Sequence, residues 1–529
     1  MSRSARRFTR SSVLRVLVIA GVLHASAAEA HFGGPIAFTD RGFVKGESTD
    51  TTYAFRGIPY AAPPVGDLRW RPPEPAQRWR GVRDATEFAP HCPQLGSPFG
   101  DASTTEDCLY LNVYVPKRRP RHFGPYLRPV MVWIHGGALY RGESDTYDPT
   151  RLVEQGVVVV TLNYRLGWLG FLAHPSLTAE SSYGGSGNYG ILDQQAALRW
   201  VQRNIWFFGG DPRNVTVFGE SAGGLSVFTH LASPESAGLF DQAIAQSGSY
   251  ALTQASLAQA ESSGTGLATA AGCPDQTASC LRALSVEALL GAPVGAGFVP
   301  NLDNHVLLQT LRDAFTSGDF NRVPVLEGTN HDEWRLFVAI TEVLAGPLSP
   351  AGYPAAIAAT LRIPLSSANL LAAFVYPLAA YPSPSIALGA LGTDAIFACN
   401  GRTAAGLLSQ YVPTYAYEFD DPNAPSVFFP PLSFPLGAYH AAEIQYLFDT
   451  HPPASVPPLD PDQQALADAM VRYWTRFAKR ADPNGFQTPT WPPYDAAGDT
   501  YLSLAPAAVQ STTGFGADHK CDFWVPLLP

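Results

Sequence analysis

Charge is scarce in this chain of 529 residues: Asp, Glu, Lys and Arg make up 15 % of it, against roughly 25 % in an ordinary soluble domain. Lysine is the rarest of the four, with Lys45, Lys117, Lys479 and Lys520 alone, and arginine supplies the rest of the 35 basic residues. Acidic residues number 45, so the net charge is −10 and there is no basic excess of the kind a nucleic-acid binder carries. Metal-ligand spacings and phosphate-binding loops are missing, and neither metal nor cofactor is expected. Internal repeats are missing as well. Glycine and proline, at 47 each, fall short of the roughly 25–30 % that marks low-complexity chains. What is present is core material: 46 % hydrophobic and 12 % aromatic residues.

The first thirty residues differ in kind from the rest. Arg3, Arg6, Arg7, Arg10 and Arg15 lead into the short apolar run Val16–Leu23, and Ala28-Glu29-Ala30 offers a small-x-small cleavage site before His31. That order reads as a secretory signal peptide over residues 1–30, with an alternative cut after Ala25-Ser26-Ala27. Eight apolar residues cannot cross a bilayer core that needs about 20, and no longer run follows, so no membrane anchor is expected. Cleavage removes five arginines and one glutamate and leaves a secreted or periplasmic chain of higher acidity. Arg6-Arg7 leaves twin-arginine export open beside the general route.

Six cysteines in an exported chain suggest three disulfides, with 15 possible connectivities. Pairing near neighbours is the simplest: Cys273 with Cys280 and Cys92 with Cys108, which leaves Cys399 and Cys521 as a long-range clamp.

Apolar β-rich runs alternate with helical patterns. Strands buried on both faces are expected over Val130–Ile134 and Val157–Leu162 and another buried strand over Val215–Phe218, with further strands at Ala243–Ala245, Pro324–Leu326 and Tyr415–Phe419. A helix is expected from Leu192 to Ile205, another from Ala222, and a third near the C-terminus, where Leu466, Met470, Tyr473, Trp474 and Phe477 recur at helical spacing. Strands alternating with helices imply an α/β fold with a large, mostly parallel sheet covered on both faces. The Pro-rich patches at Pro377–Pro384 and Pro452–Pro461 read as loops, and the Ala-rich stretch 340–400 as a helical insertion. One domain over residues 31–529 is expected.

After the strand ending at Phe218 comes Gly219-Glu220-Ser221-Ala222-Gly223-Gly224. A strand running straight into G-x-S-x-G and then a helix is a nucleophile elbow. The turn is tight, its serine is strained, and a side chain two residues away on either side would clash, hence Gly219 and Gly223. A serine nucleophile needs donors for the oxyanion it creates. Ile134-His135-Gly136-Gly137-Ala138 follows a buried strand, and the N–H groups of Gly136, Gly137 and Ala222 are assigned to that role.

At this point the chain resembles the type-B carboxylesterases, the cholinesterase-like branch of the α/β-hydrolases. The resemblance rests on Phe55-Arg56-Gly57-Ile58-Pro59-Tyr60-Ala61, Glu106-Asp107-Cys108-Leu109-Tyr110-Leu111-Asn112, Asn163-Tyr164-Arg165 and Gly187-Asn188-Tyr189-Gly190-Ile191-Leu192-Asp193-Gln194, besides the elbow. Similar blocks run from about residue 36 to Phe523-Trp524. The resemblance implies the α/β-hydrolase fold, helical insertions around the pocket, and the same three disulfide pairings. It also implies a triad in the order serine, acid, histidine. His440, in Gly437-Ala438-Tyr439-His440-Ala441-Ala442-Glu443, is similar to the family's histidine block. The family sets its glutamate five residues after a glycine, here Gly328, which falls on Glu333; the adjacent Asp332 is the competitor. Glu220, Ser247 and Glu443 resemble positions that support the histidine.

Three departures stand at the pocket: Leu139 where an aromatic is usual, and Trp334 and Ala441 where glycine is usual. The loop from Cys92 to Cys108 holds no tryptophan, which counts against choline recognition. Residues 250–320 and 340–440 are expected to line the pocket. The resulting expectation is a secreted serine carboxylesterase whose partner is a small-molecule ester. A lipase, amidase or polyester hydrolase would use the same triad, and a non-catalytic binding module is the reading from another class.

Overall fold

The structure is a computed structural model that describes residues 34–117, 127–294, 297–427, 429–450 and 456–527. The signal peptide expected over residues 1–30 lies outside these. Fourteen strands are formed among them: β1 (Ile36–Thr39), β2 (Gly42–Lys45), β3 (Glu47–Ser48), β4 (Thr52–Pro59), β5 (Val82–Asp84), β6 (Tyr110–Pro116), β7 (Arg128–Ile134), β8 (Val158–Leu162), β9 (Gly210–Glu220), β10 (Gln242–Gln246), β11 (Val325–Asn330), β12 (Thr414–Phe419), β13 (Tyr501–Leu504) and β14 (Val509–Thr512). Eleven of these make one sheet in the order β14-β13-β12-β11-β10-β9-β7-β8-β6-β4-β3, and β1, β2 and β5 make a small second sheet.

The centre of the large sheet, from β8 to β13, is parallel throughout. Its margins are antiparallel, at β14 on one side and at β6, β4 and β3 on the other. A mostly parallel sheet was expected from the buried runs, and the centre is so; the outermost pairs, β3 with β4 and β13 with β14, are antiparallel because each is joined by a short turn that needs no crossover helix. Every residue of β7, β8, β10, β11 and β12 is buried. Their side chains alternate between two cores. Val130, Val132, Ile134, Val158, Val160, Val215 and Val217 enter one; Met131, Trp133, Val159, Phe218, Ile244 and Leu326 enter the other. Helices on both faces close these cores, which is why the strands read as continuous apolar runs.

Helix boundaries follow local chemistry. The helix Pro461–Arg480 opens with Asp460 and Gln463 in a capping box, has proline in its first turn and ends with Lys479 and Arg480. Pro461 and Pro384 thus open helices (Pro461–Arg480 and Pro384–Gly392) where loops were expected, since a first-turn proline gives up an N–H that has no helical acceptor anyway. The Ala-rich stretch is helical, with Arg335–Ala345, Tyr353–Leu361, Leu365–Leu370 and Pro384–Gly392. All three disulfides form as expected: Cys92–Cys108, Cys273–Cys280 and Cys399–Cys521.

The motif blocks turn out to be struts under the sheet's C-terminal edge. Arg165 and Asp193, both buried, form a bidentate pair with Nε–Oδ2 and Nη2–Oδ1 at 2.7 Å. Asn163 Oδ1 accepts from the Ser144 N–H at 2.9 Å, and the Tyr164 hydroxyl donates to the His135 carbonyl at 2.8 Å. The end of β8 therefore holds the loop that follows β7.

Cys399–Cys521 closes 122 residues and Cys273–Cys280 only 7. Chain entropy makes the first worth about 5 kcal/mol and the second about 2. Thermal unfolding of Cys399→Ser/Cys521→Ser and of Cys273→Ser/Cys280→Ser should show the larger fall in Tm for the former.

Candidate active site

The elbow is built as its sequence requires. β9 ends at Glu220, the helix Ala222–Ala232 begins at once, and Ser221 between them has φ +55 and ψ −119. A Cβ on Gly219 would lie 2.6 Å from the Gly223 carbonyl carbon and from the Ile134 carbonyl oxygen, and one on Gly223 would strike the same oxygen. Only glycine fits either place. The Ser221 N–H donates to the Gln246 carbonyl at 2.9 Å, which ties the turn to β10.

Glu333 and His440 meet as expected. The Glu333 Oε2 to His440 Nδ1 distance is 2.5 Å, and the two residues are 0 % and 4 % exposed. The other Glu333 oxygen, Oε1, accepts from the Ser247 hydroxyl at 2.5 Å and from the Asn330 N–H at 2.8 Å. Three donors thus fix the carboxylate. Asp332, the competitor, turns its carboxylate away, toward Ala438, Arg335 and His331.

The far nitrogen of the imidazole, Nε2, lies 3.3 Å from Glu220 Oε1. No hydrogen bond joins the Ser221 hydroxyl to His440 among the described residues; the imidazole reaches the nucleophile turn at the residue before the serine. Glu443 is buried and bridges the underlying elements, accepting from Gln246 Nε2 at 3.0 Å and Asn330 Nδ2 at 2.7 Å. Gln246 accepts in turn from the Trp474 indole at 3.0 Å. The rings of Phe397 and Phe337 cover the imidazole, with centroids 4.9 and 5.4 Å away.

Burial alone would lower the His440 pKa, but the carboxylates of Glu220 and Glu333 outweigh it and raise the imidazole to about 9. Burial also pushes the Glu220 carboxyl well above the usual range, against the pull of His440. Glu443 is raised by burial too, with the bonds from Asn330 and Gln246 opposing. His440 and Glu220 face each other closely enough to titrate as a unit.

The glycine loop lies against the elbow: a Cβ on Gly136 would be 2.8 Å from Glu220 Oε2 and 3.2 Å from the Ser221 Cβ. Among the described residues, the N–H groups of Gly137 and Ala222 have no acceptor, whereas the N–H of Gly136, expected to join them, is turned to the Tyr147 hydroxyl. The Ala138 N–H is equally free, a donor that the sequence reading passed over although it directly follows the glycine pair. Gly137, Ala138 and Leu139 have φ of +95, +53 and +60. Ser247 and Ala441, at +50 and +70, add to this cluster of left-handed residues. Left-handed non-glycine residues are costly and persist only where surrounding structure imposes them.

A second cluster escaped the sequence reading. His91 bonds Glu143 Oε2 through Nδ1 at 3.0 Å and Asp145 Oδ2 through Nε2 at 2.9 Å. The hydrogen bonds from Asp145 and Glu143 raise its pKa to about 10, so an imidazolium is gripped at both nitrogens. Gln94 adds a reciprocal pair with Gly142, Nε2 to the carbonyl at 3.2 Å and Oε1 from the N–H at 2.8 Å. These contacts latch the Cys92–Cys108 loop onto the glycine loop. Their residues are far apart in sequence, and only the disulfide offered a signal.

Comparison with known proteins gives the family. A family model described as the carboxylesterase family matches residues 34–524. The chain is 35 % identical over 542 residues to a cocaine esterase of Oryctolagus cuniculus, covering 94 % of this chain and 96 % of that one. It is 33 % identical over 541 residues to an acylcarnitine hydrolase of Mus musculus, covering 96 % and 94 %. A fumonisin B1 esterase of Sphingopyxis macrogoltabida is 46 % identical over 315 residues, which is 57 % of each chain. The match therefore spans just over half the length of that relative.

The electrostatics give a pH expectation. In a site where neutral His440 is the active form, the acidic limb of kcat/KM lies above the ordinary imidazole value of about 6.5. Glu220→Gln removes a carboxylate that favours the imidazolium, so this limb should move to lower pH by about one unit or more. A pH profile of kcat/KM for wild type and variant measures it.

Proposed function

The chain belongs to the carboxylesterase family, and from that premise we propose that it is an exported serine esterase acting on small-molecule carboxylic esters. In this reading residues 1–30 are its signal peptide and residues 31–529 its single catalytic domain. The observation that carries the reading is the imidazole of His440, held by Glu333 at Nδ1 and turned with Nε2 toward the elbow of Ser221.

Chemistry follows from that placement. Ser221 Oγ attacks the ester carbonyl as His440 Nε2 takes its proton, then returns the proton to the departing alcohol. Glu333 fixes the tautomer and offsets the imidazolium charge. The N–H groups of Gly137, Ala138 and Ala222 stabilise the oxyanion, and removing one such donor typically costs about 3–4 kcal/mol of barrier; that of Gly136 is held by the Tyr147 hydroxyl instead. Water repeats the sequence on the acyl-enzyme. Every proton moves between groups of this chain, the substrate and water.

Export is supported by the three disulfides, which belong to oxidising compartments. Among the described residues no helix is long and apolar enough to cross a membrane. The relatives are named for different substrates, so the shared reaction is proposed for this chain and their substrates are not.

Hydrolysis of p-nitrophenyl acetate and covalent labelling by an organophosphate test the reading together. Wild type should show both. Ser221→Ala should lose labelling and fall in kcat by roughly 10⁵–10⁶-fold. A wild-type chain that neither turns over the ester nor takes label at Ser221 contradicts the enzyme reading and favours a binding module.

A further inference from the structure

We propose that Asp332 is a positioning residue: it straps the turn that carries Glu333 to the turn that carries His440. This rests on the reading of Glu333 and His440 as acid and base. The two residues come from separate segments, one following β11 and the other lying between β12 and the helix Pro461–Arg480. A contact of 2.5 Å between their side chains requires the two backbones to be held in register.

Asp332 does this twice over. Its N–H donates to the Ala438 carbonyl at 3.0 Å, and its Oδ2 accepts from the Ala438 N–H at 3.0 Å. That is a closed pair of bonds from the residue before the acid to a residue two before the histidine. Gly437 fits beneath it at φ +65, and a Cβ there would run into Asp332 Oδ2. The second oxygen, Oδ1, is held by Arg335 Nη2 at 2.8 Å and His331 Nδ1 at 3.1 Å. Arg335 also reaches the histidine segment, donating through Nη1 to the Pro435 carbonyl at 3.2 Å. Asn330 completes the seam by donating to the Tyr439 carbonyl at 2.8 Å.

Asp332 is 8 % exposed, and its carboxylate makes no contact with the imidazole of His440. Its function is to set where Glu333 stands. With the strap cut, the loops separate by tenths of an ångström, Glu333 loosens its hold on Nδ1, and the imidazole becomes a weaker base in a less fixed orientation. None of the strap's bonds involves an oxyanion N–H, so the loss is expected in kcat rather than in KM.

Asp332→Ala should lower kcat at least tenfold with KM unchanged, and shift the acidic limb of kcat/KM to lower pH. Asp332→Asn, whose carbonyl can still accept from the Ala438 N–H, should recover part of both. Should Asp332→Ala fail to fold, Arg335→Gln carries the comparison, with kcat lowered three- to tenfold and the same sense of pH shift. Wild-type kcat and an unmoved acidic limb in a folded Asp332→Ala, or in Arg335→Gln where that is the variant measured, overturn the strap. Glu333→Gln separates the two readings: if it is inactive while the strap variants are not, only the strap is wrong. If Glu333→Gln is fully active, the acid assignment itself falls.

Discussion

A carboxylate with no solvent exposure is the constraint on which this site depends. Glu333 is taken wholly out of water, and an ionised carboxyl in that position is stable only when paired and hydrogen-bonded. The structure meets the requirement from three sides: His440 on one oxygen, and Ser247 with the Asn330 backbone on the other. Each of those partners then needs its own anchor. Asn330 is tied to Tyr439 and Glu443, Glu443 to Gln246, and Gln246 to Trp474 and, through its carbonyl, to the Ser221 N–H. One buried charge thereby binds the ends of β9, β10 and β11 to the histidine segment.

Backbone strain is distributed to match. Ala138, Leu139, Ser221, Ser247 and Ala441 all adopt positive φ, at the glycine loop, the elbow, the end of β10 and the residue after His440. Such conformations cost roughly 1–3 kcal/mol each and tend to gather at functional sites. The two cores of the parallel sheet, and the latch of His91 on Glu143 and Asp145, supply the rigidity that holds them.

Much of this was legible in sequence because local chemistry dictates it. The buried strands announced themselves as apolar runs, and the elbow through glycines that nothing else can replace. The same held for the disulfides Cys92–Cys108 and Cys273–Cys280, whose cysteines are neighbours. What stayed hidden was decided by long-range approach. Asp332 and Glu333 are adjacent carboxylates that only the family's spacing from Gly328 separates; their opposite orientations are set by what the chain brings back a hundred residues later, at Ala438 and His440. The His91 cluster was invisible for the same reason. The free N–H of Ala138 was missed on another ground: an alanine in a left-handed conformation gives no sign of it in sequence. Pro384 and Pro461 read as loop residues because proline marks both loops and helix starts; the cap of Ser383 before the one, and of Asp460 with Gln463 around the other, distinguishes them.

The proton between His440 Nδ1 and Glu333 Oε2 is directly observable by proton NMR. A short, buried imidazole–carboxylate bond should give a resonance far downfield of the amide envelope. That resonance should follow the same apparent pKa as kcat/KM and should vanish in Glu333→Gln. Its absence from wild type, or its persistence in Glu333→Gln, would contradict the assignment of Glu333 as the group that holds the catalytic histidine.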